Sequence, residues 1–270
     1  MKEKLTVKEI QMEEVEILKK IQVFFLENNI KYFAFYGTFL GMIRHKGFIP
    51  WYDDIDLAIP RPDYDRLVNI LKRNSKITDN VEAIGFEIGK SNWPFLKIIN
   101  KNIVIEDKQK CDKYLWIDIF PLDGTVNSPF YYLKKNLLMK LFISKRSYIK
   151  KTNYYNTKNK NLINRVVGLM ILPISLNYII TKYINICKKY DYNTSKIIGI
   201  NMWENSQKNF LKEKMVSKEY KFENITLNGI EDYDYMLKKL YGEDYMQLPP
   251  KEKRVTHSFN AIKSGDINER

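Results

Sequence analysis

The chain has 270 residues, 44% hydrophobic and 14% aromatic, enough for one substantial core with room for an added lobe and too apolar for a disordered protein. Two cysteines, Cys111 and Cys187, and two histidines, His45 and His257, are too few and too scattered for a zinc or dithiol site, and such sparse cysteine use suits a reducing cytoplasm. The net charge of +13 comes from a single tract: Gly124 to Tyr190 holds thirteen Lys and Arg and no Asp or Glu, leaving 32 basic and 32 acidic residues elsewhere.

That tract suggests either a solvated lysine-rich face or an anionic partner, such as acidic lipid headgroups, a lipid-linked anionic polymer or nucleic acid. The charged start, Met1 to Lys4, runs straight into a helical pattern, so no signal peptide is expected. The longest apolar run, Val166 to Leu176, is shorter than the about 20 residues a membrane span needs. A cytoplasmic protein, soluble or peripheral on the inner face of the cell membrane, is the expectation.

Thr6 with Glu9 forms a capping box that opens a helix to about Asn29, with Ile10, Ile17, Leu18, Ile21 and Phe25 as its buried stripe. Lys31 to Tyr36 reads as a first core strand and Gly37-Thr38 as a turn. A short helix through Phe39, Leu40 and Ile43 then ends at Gly47. Trp51 to Ile59 reads as a second strand. Pro62 opens a helix whose apolar face is Tyr64, Leu67, Val68 and Leu71. Phe86 to Ile88, Phe95 to Ile99 and Ile103 to Glu106 read as three short antiparallel strands. In Tyr114 to Phe120, alternation sets Tyr114, Trp116, Asp118 and Phe120 on one face and Leu115, Ile117 and Ile119 on the other.

From Ser128 to Lys189 the pattern is helical, apolar and basic, with Leu137 to Ile143 and Val166 to Ile180 as helices that either pack in a lobe or lie on a membrane surface. Asp232 to Tyr241 is a short helix ended by Gly242. The fold class is α+β: a mixed sheet core flanked by helices, with a basic helical region in the second half. The expected division is 1–125 for a catalytic core, 126–200 for the basic helices and 201–270 for a segment completing the active site.

The chemistry concentrates in Tyr36 to Arg61. On a strand, Asp54 and Asp56 project from one face while Ile55 and Leu57 enter the core. Two carboxylates that close repel unless a cation lies between them, and a magnesium ion is commonly held by one or two carboxylates plus substrate phosphates. Gly37 and Thr38 suit close approach of a phosphate to backbone N–H groups and a hydroxyl. Asp118, an acid in a very apolar strand, is the candidate third carboxylate, as a base or a further ligand, the alternative being a local cap or ion pair. Arg44, Lys46 and Arg254 are candidate phosphate clamps, with His45 and His257 in the same basic segments. Trp51, Trp93 and Trp116 could wall a cationic headgroup or could simply pack.

These residues closely resemble the LicD family of phosphotransferases, a branch of the nucleotidyltransferase-fold superfamily that includes fukutin-related proteins. The likeness rests on Gly37-Thr38, Leu40-Gly41, Arg44 to Trp51, Asp53-Asp54-Ile55-Asp56, Pro60-Arg61, Asp118 in I-D-I-F-P-L-D-G, and the closing Tyr241 to His257 pattern. The resemblance implies a nucleotidyltransferase-like fold and a Mg2+-assisted (or Mn2+-assisted) transfer of a phospho-alcohol. The donor would be CDP-choline or another CDP-alcohol, the acceptor a hydroxyl of a lipid-linked glycan such as a teichoic acid precursor or lipopolysaccharide. Asp54 and Asp56 would be metal ligands, Asp118 the third acid, and Gly37-Thr38 the phosphate loop. Tyr52 stands where many members have an extra Asp, and Asp53 then reads as a surface turn acid. A nucleotidyltransferase that releases pyrophosphate, acting on RNA or a small molecule, is the rival; the Arg44 to Trp51 stretch argues against it and against a nucleic-acid partner. A non-catalytic membrane-surface protein is a second rival, disfavoured by the intact acids.

Overall fold

A computed structural model describes residues 4–107, 113–151, 158–202, 208–254 and 259–264. Helix α1 (Val7–Glu27) is closed by the expected box: Glu9 N–H donates to Thr6 Oγ1 at 3.3 Å and Thr6 N–H to Glu9 Oε2 at 2.7 Å. The first strand, β1 (Phe33–Ala34), is much shorter than Lys31 to Tyr36. Tyr36, at φ 42°, turns the chain, and helix α2 (Tyr36–Arg44) begins there. Gly37 and Thr38 therefore lie in the first turn of a helix and not in a separate loop.

Strand β2 (Asp56–Pro60) starts five residues later than the apolar pattern suggested, because Ile49 O and Tyr52 N–H close a turn just before it. Helix α3 (Arg61–Arg73) buries Tyr64, Leu67, Val68 and Leu71 as expected. The next strand is β3 (Val81–Ile84); Phe86 to Ile88 form a turn instead. The two expected strands beyond it are one, β4 (Leu96–Asp107), whose register shifts between Asn100 and Val104, where polar Lys101 and Asn102 interrupt the apolar alternation. Strand β5 (Tyr114–Gly124) runs on past Phe120 and keeps the predicted alternation through Ile119.

Helices α4 (Pro129–Lys150), α5 (Lys158–Met170) and α6 (Leu176–Cys187) follow. Val166 to Ile180 is thus two helices, parted by a turn that holds Pro173. Then come β6 (Ile197–Gly199), β7 (Phe210–Leu211), the hairpin of β8 (Ser217–Phe222) and β9 (Ile225–Ile230), helix α7 (Tyr233–Tyr241) and β10 (Phe259–Lys263).

One mixed sheet carries the fold, in the order β1-β2-β5-β4-β10, with β3 paired to β4 and β6-β7 extending β5. β2 and β5 are parallel, and the other pairs are antiparallel. Helix α1 packs on β4 and β5, and α3 on β2 and β5. At the far ends of the two parallel strands a buried ion pair ties them together: Arg61 Nε lies 2.5 Å from Asp123 Oδ1 and Nη2 3.0 Å from Oδ2. This forked geometry satisfies both carboxylate oxygens where water cannot.

Candidate active site

The parallel pairing of β2 with β5 sets Asp56 directly opposite Asp118, and Asp54 lies two residues before Asp56 on the entering loop. The charges of Asp54 and Asp118 both reach the Asp56 carboxyl, so three carboxylates cluster where the chain enters β2 beside β5. Ile55 and Leu57, and Ile117 and Ile119, face away into the core. Two backbone bonds fix the edge: Asp118 N–H donates to Ile55 O and Phe35 N–H to Asp56 O, both at 3.0 Å. Thr38 Oγ1 accepts from Asp56 N–H at 2.9 Å, so its hydroxyl first serves to align the acid strand with α2.

Electrostatically the edge is crowded. Burial raises the Asp56 carboxyl well above the ordinary aspartate range, the charges of Asp54 and Asp118 add to this, and Lys97 acts in the opposite direction. Asp53 is only 4% exposed, which corrects its reading as a surface turn acid. A further acid escaped the sequence reading. Glu14, on α1, is 1% exposed, and its Oε2 is buried without a hydrogen-bond partner. One turn earlier, Gln11 Nε2 donates to Tyr52 O at 2.7 Å, which holds this face of α1 against the loop that carries Asp53 and Asp54. Burial, then the charges of Asp54, Asp53, Asp56 and Asp118, push Glu14 well above the glutamate range. Its position on the Ile10–Ile17–Ile21 stripe was the available signal.

Lys97 was also missed. Its Nζ is 3.1 Å from Asp118 Oδ1, and the residue is 3% exposed. The ammonium lies 4.5 Å from the Trp93 ring centroid and 4.3 Å from that of Trp116, while Trp116 Nε1 donates to Asp118 Oδ2 at 3.3 Å. Trp93 and Trp116 thus do form an aromatic box, and the cation in it is the protein's own lysine. Trp93 also stacks under Arg146 of α4, 4.0 Å from its guanidinium carbon. Asp118 thus has an ion pair, but with Lys97 across the sheet and not with the local partner that was its alternative reading. Among the described residues no three acidic, histidine or cysteine side chains converge as ligands of one metal. Asp118 is engaged by Lys97, and the charges of Asp54 and Asp118 both bear on the Asp56 carboxyl. Hard carboxylate oxygens, like-charge crowding and the orphaned Glu14 oxygen are the chemistry that a divalent cation with oxygen ligands satisfies, so these residues fit Mg2+ or Mn2+.

Of the remaining candidates, Arg44, His45, Trp51 and Arg254 form a second group. Helix α2 has no side-chain cap at its N-terminus, and a Cβ on Gly37 would fall 2.8 Å from the Tyr52 ring, so only glycine lets that ring cover the turn. Arg44 is partly committed: its Nη1 donates to Tyr245 O at 2.9 Å and Gln247 O at 3.2 Å, and its Nε to His45 Nε2 at 3.0 Å. Burial, then Arg44, lowers the His45 pKa. The guanidinium of Arg254 stacks over Trp51 at 4.8 Å, and His45 meets the same ring edge-on. Arg44, His45, Trp51 and Arg254 are therefore together. Lys46 is not with them: its Nζ donates to Ile43 O and its carbonyl accepts from Glu223, turning it toward the β8–β9 hairpin. His257 lies outside the described residues.

The acid-bearing strands of this mixed α+β fold are thus tied to the first turn of α2 through Thr38, and similarity to known proteins gives the class of the chain. Residues 29–164 match the LicD/FKTN/FKRP nucleotidyltransferase domain family. Over 94% of its length the chain is 30% identical to the lipopolysaccharide cholinephosphotransferase LicD of Haemophilus influenzae, covering 96% of that protein. Uncharacterised proteins of Rickettsia typhi and Rickettsia prowazekii are 32% and 30% identical over 44% and 43% of this chain, covering 37% and 41% of their own lengths. The chain belongs to the LicD family.

Proposed function

We propose that the protein transfers phosphocholine, or a related phospho-alcohol, from a CDP-activated donor to a hydroxyl of a cell-surface glycan, working on the cytoplasmic side of the membrane. The observation that carries the reading is the register of Asp56 with Asp118, which joins Asp54 at one sheet edge beside the N-terminus of α2. The likeness to a lipopolysaccharide cholinephosphotransferase over nearly the whole of both chains supports the substrate class.

In this reading Asp54 and Asp56 hold a Mg2+ ion, which when bound would neutralise charge on the donor phosphates. The first turn of α2 offers backbone N–H groups to a phosphate oxygen, and Arg254 with Arg44 balances the charge of the leaving CMP. Asp118, oriented by Lys97 and Trp116, accepts the proton of the acceptor hydroxyl as its oxygen bonds to phosphorus and the bond to CMP breaks. The Trp93–Trp116 box already holds Lys97, so the aromatic walls do not by themselves select choline. Ethanolamine, glycerol and ribitol donors therefore belong in the test, and a teichoic acid precursor beside lipopolysaccharide among the acceptors.

Purified protein, Mg2+ and a lipid-linked glycan fraction are mixed with CDP-choline, CDP-ethanolamine, CDP-glycerol, CDP-ribitol, CTP or ATP, and products are followed by phosphorus NMR. CMP released from one CDP-alcohol is expected, falling roughly 10²–10³-fold in Asp54→Ala and Asp118→Ala, the scale of losing one preorganised charge-handling group. Pyrophosphate from CTP or ATP would replace this reading with nucleotidyl transfer.

A further inference from the structure

Helix α5 is amphipathic in the opposite sense to a helix of a core. Its small and polar side meets α4: Ser144 Oγ donates to Asn164 Oδ1 at 3.2 Å, and a Cβ on Gly168 would fall 2.5 Å from both Ser144 O and Tyr148 Cβ. The apolar side is turned outward. Leu162, Ile163, Val166, Leu169 and Met170 are between 49% and 76% exposed. Positions 162, 166 and 169 make one helical stripe, with 163 and 170 alongside. The turn beyond α5 extends the patch through Leu172 and Ile174, both exposed. That turn is tied down by a polar anchor, the buried Lys145, whose Nζ donates to Ile171 O at 3.1 Å and Leu172 O at 2.7 Å.

Scattered exposed apolar residues are ordinary; a continuous outward stripe of this kind marks a contact surface. Its electrostatic setting selects the contact. No Asp or Glu occurs from Gly124 to Tyr190, while Lys160 and Arg165 on α5 itself remain exposed. Two copies of an acid-free face would repel each other. Phosphodiester headgroups above an acyl layer would instead match both the cations and the apolar stripe. No described helix is long and apolar enough to cross a membrane.

We propose that α5 and the turn after it form a docking face that lies on an anionic lipid surface, with Leu162, Val166, Leu169 and Met170 at the acyl boundary and the lysines and arginines among the headgroups. The proposal stands apart from the transfer chemistry, because lipid binding is measured without donor or acceptor. The test is flotation of the full-length protein with vesicles of phosphatidylcholine alone and of phosphatidylcholine with phosphatidylglycerol, at low and high salt. The expected result is binding to the phosphatidylglycerol vesicles, weaker by more than about tenfold on neutral vesicles and reduced by salt. The variant Leu162→Ser/Val166→Ser/Leu169→Ser, altered only at exposed positions and with an unchanged circular dichroism melt, should lose more than about tenfold in affinity. Wild-type protein that stays free of both vesicle types overturns the proposal. So does a triple variant that binds like wild type, or a face whose loss converts a wild-type dimer to monomer while vesicles are ignored.

Discussion

The sheet edge at β2 and β5 and the helices α4 to α6 are opposites in charge and in what they leave unfinished. At the edge, Asp53, Asp54, Asp56, Asp118 and Glu14 are drawn together with Lys97 as the cation in contact with Asp118. In the helices the sequence from Gly124 to Tyr190 holds thirteen Lys and Arg and no Asp or Glu, and apolar side chains on α5 face solvent. Each region breaks a rule that the rest of the molecule obeys. The core sheet pairs its far end with a forked Arg61–Asp123 bridge, and α1 is capped at its start and apolar on its inner face. Local frustration of this kind is common at functional sites, and the two partners proposed above follow its sign: a cation for the acid cluster and an anionic apolar surface for the helices.

Three cations of the helical tract are held inside the protein. Lys135, Lys145 and Arg146 are buried: Lys135 lies over the Tyr132 ring, Lys145 caps the end of α5 and Arg146 stacks on Trp93. The solvated-face reading therefore fails for these residues, and Arg146 physically joins the helices to the tryptophan box beside Asp118.

The contrast can be pressed hardest where charge is already satisfied. Asp123→Ala would take from the buried Arg61 its forked partner, leaving the half-exposed Asp65 at 3.3 Å, and should destabilise the fold by about 3–5 kcal/mol, seen as a lower midpoint in urea unfolding. A small loss would mean that the bridge is less buried than its geometry indicates. In the helical region, Gly168→Leu must push α5 from α4 against backbone and Tyr148, at a cost of about 1–3 kcal/mol; measured by the same unfolding curve, no change would show that α5 is not seated as described.

At the acid edge the sign reverses. An acid whose folded-state pKa is raised holds its proton more tightly folded than unfolded. Stability is then greatest below the ordinary glutamate range and is lost as pH rises through the raised value. Glu14→Gln removes that loss, so without divalent ions the variant should be more stable than wild type at pH 8 by at least about 1 kcal/mol, and the gain should vanish on acidification. Thermal melts across pH in EDTA decide it; a variant less stable at pH 8 would mean that Glu14 is already compensated.

Much of this was legible in sequence. The Thr6–Glu9 box, Pro62 in the first turn of α3 and the alternation in β5 all reflect short-range rules that the structure obeys, whereas Asp54, expected on one strand with Asp56, lies on the loop before it. What escaped depends on tertiary neighbours. β4 looked like two strands because Lys101 and Asn102 interrupt it at an irregular register. The β8–β9 hairpin escaped because its two-residue turn, Glu223-Asn224, has no glycine; Glu223 holds φ 51° with its carboxylate accepting from Phe48 N–H and Lys8 Nζ. Trp51, Trp93 and Trp116 were read as possible walls for a cationic headgroup or as plain packing, and Lys97, two residues from the buried Phe95, carried no sign that it would sit between Trp93 and Trp116. Asp118 was recognised as an acid needing company, and its companion came from the neighbouring antiparallel strand.

Asp54 and Asp56 are proposed to make a cation site beside the donor phosphates. A titration of the full-length protein with Mn2+ in the presence of CDP-choline, followed by electron paramagnetic resonance, tests it without turnover. The account predicts a tightly held ion in the wild type, lost in Asp54→Ala and in Asp56→Ala while both variants keep the wild-type circular dichroism spectrum. Equal Mn2+ binding by wild type and both variants would contradict it.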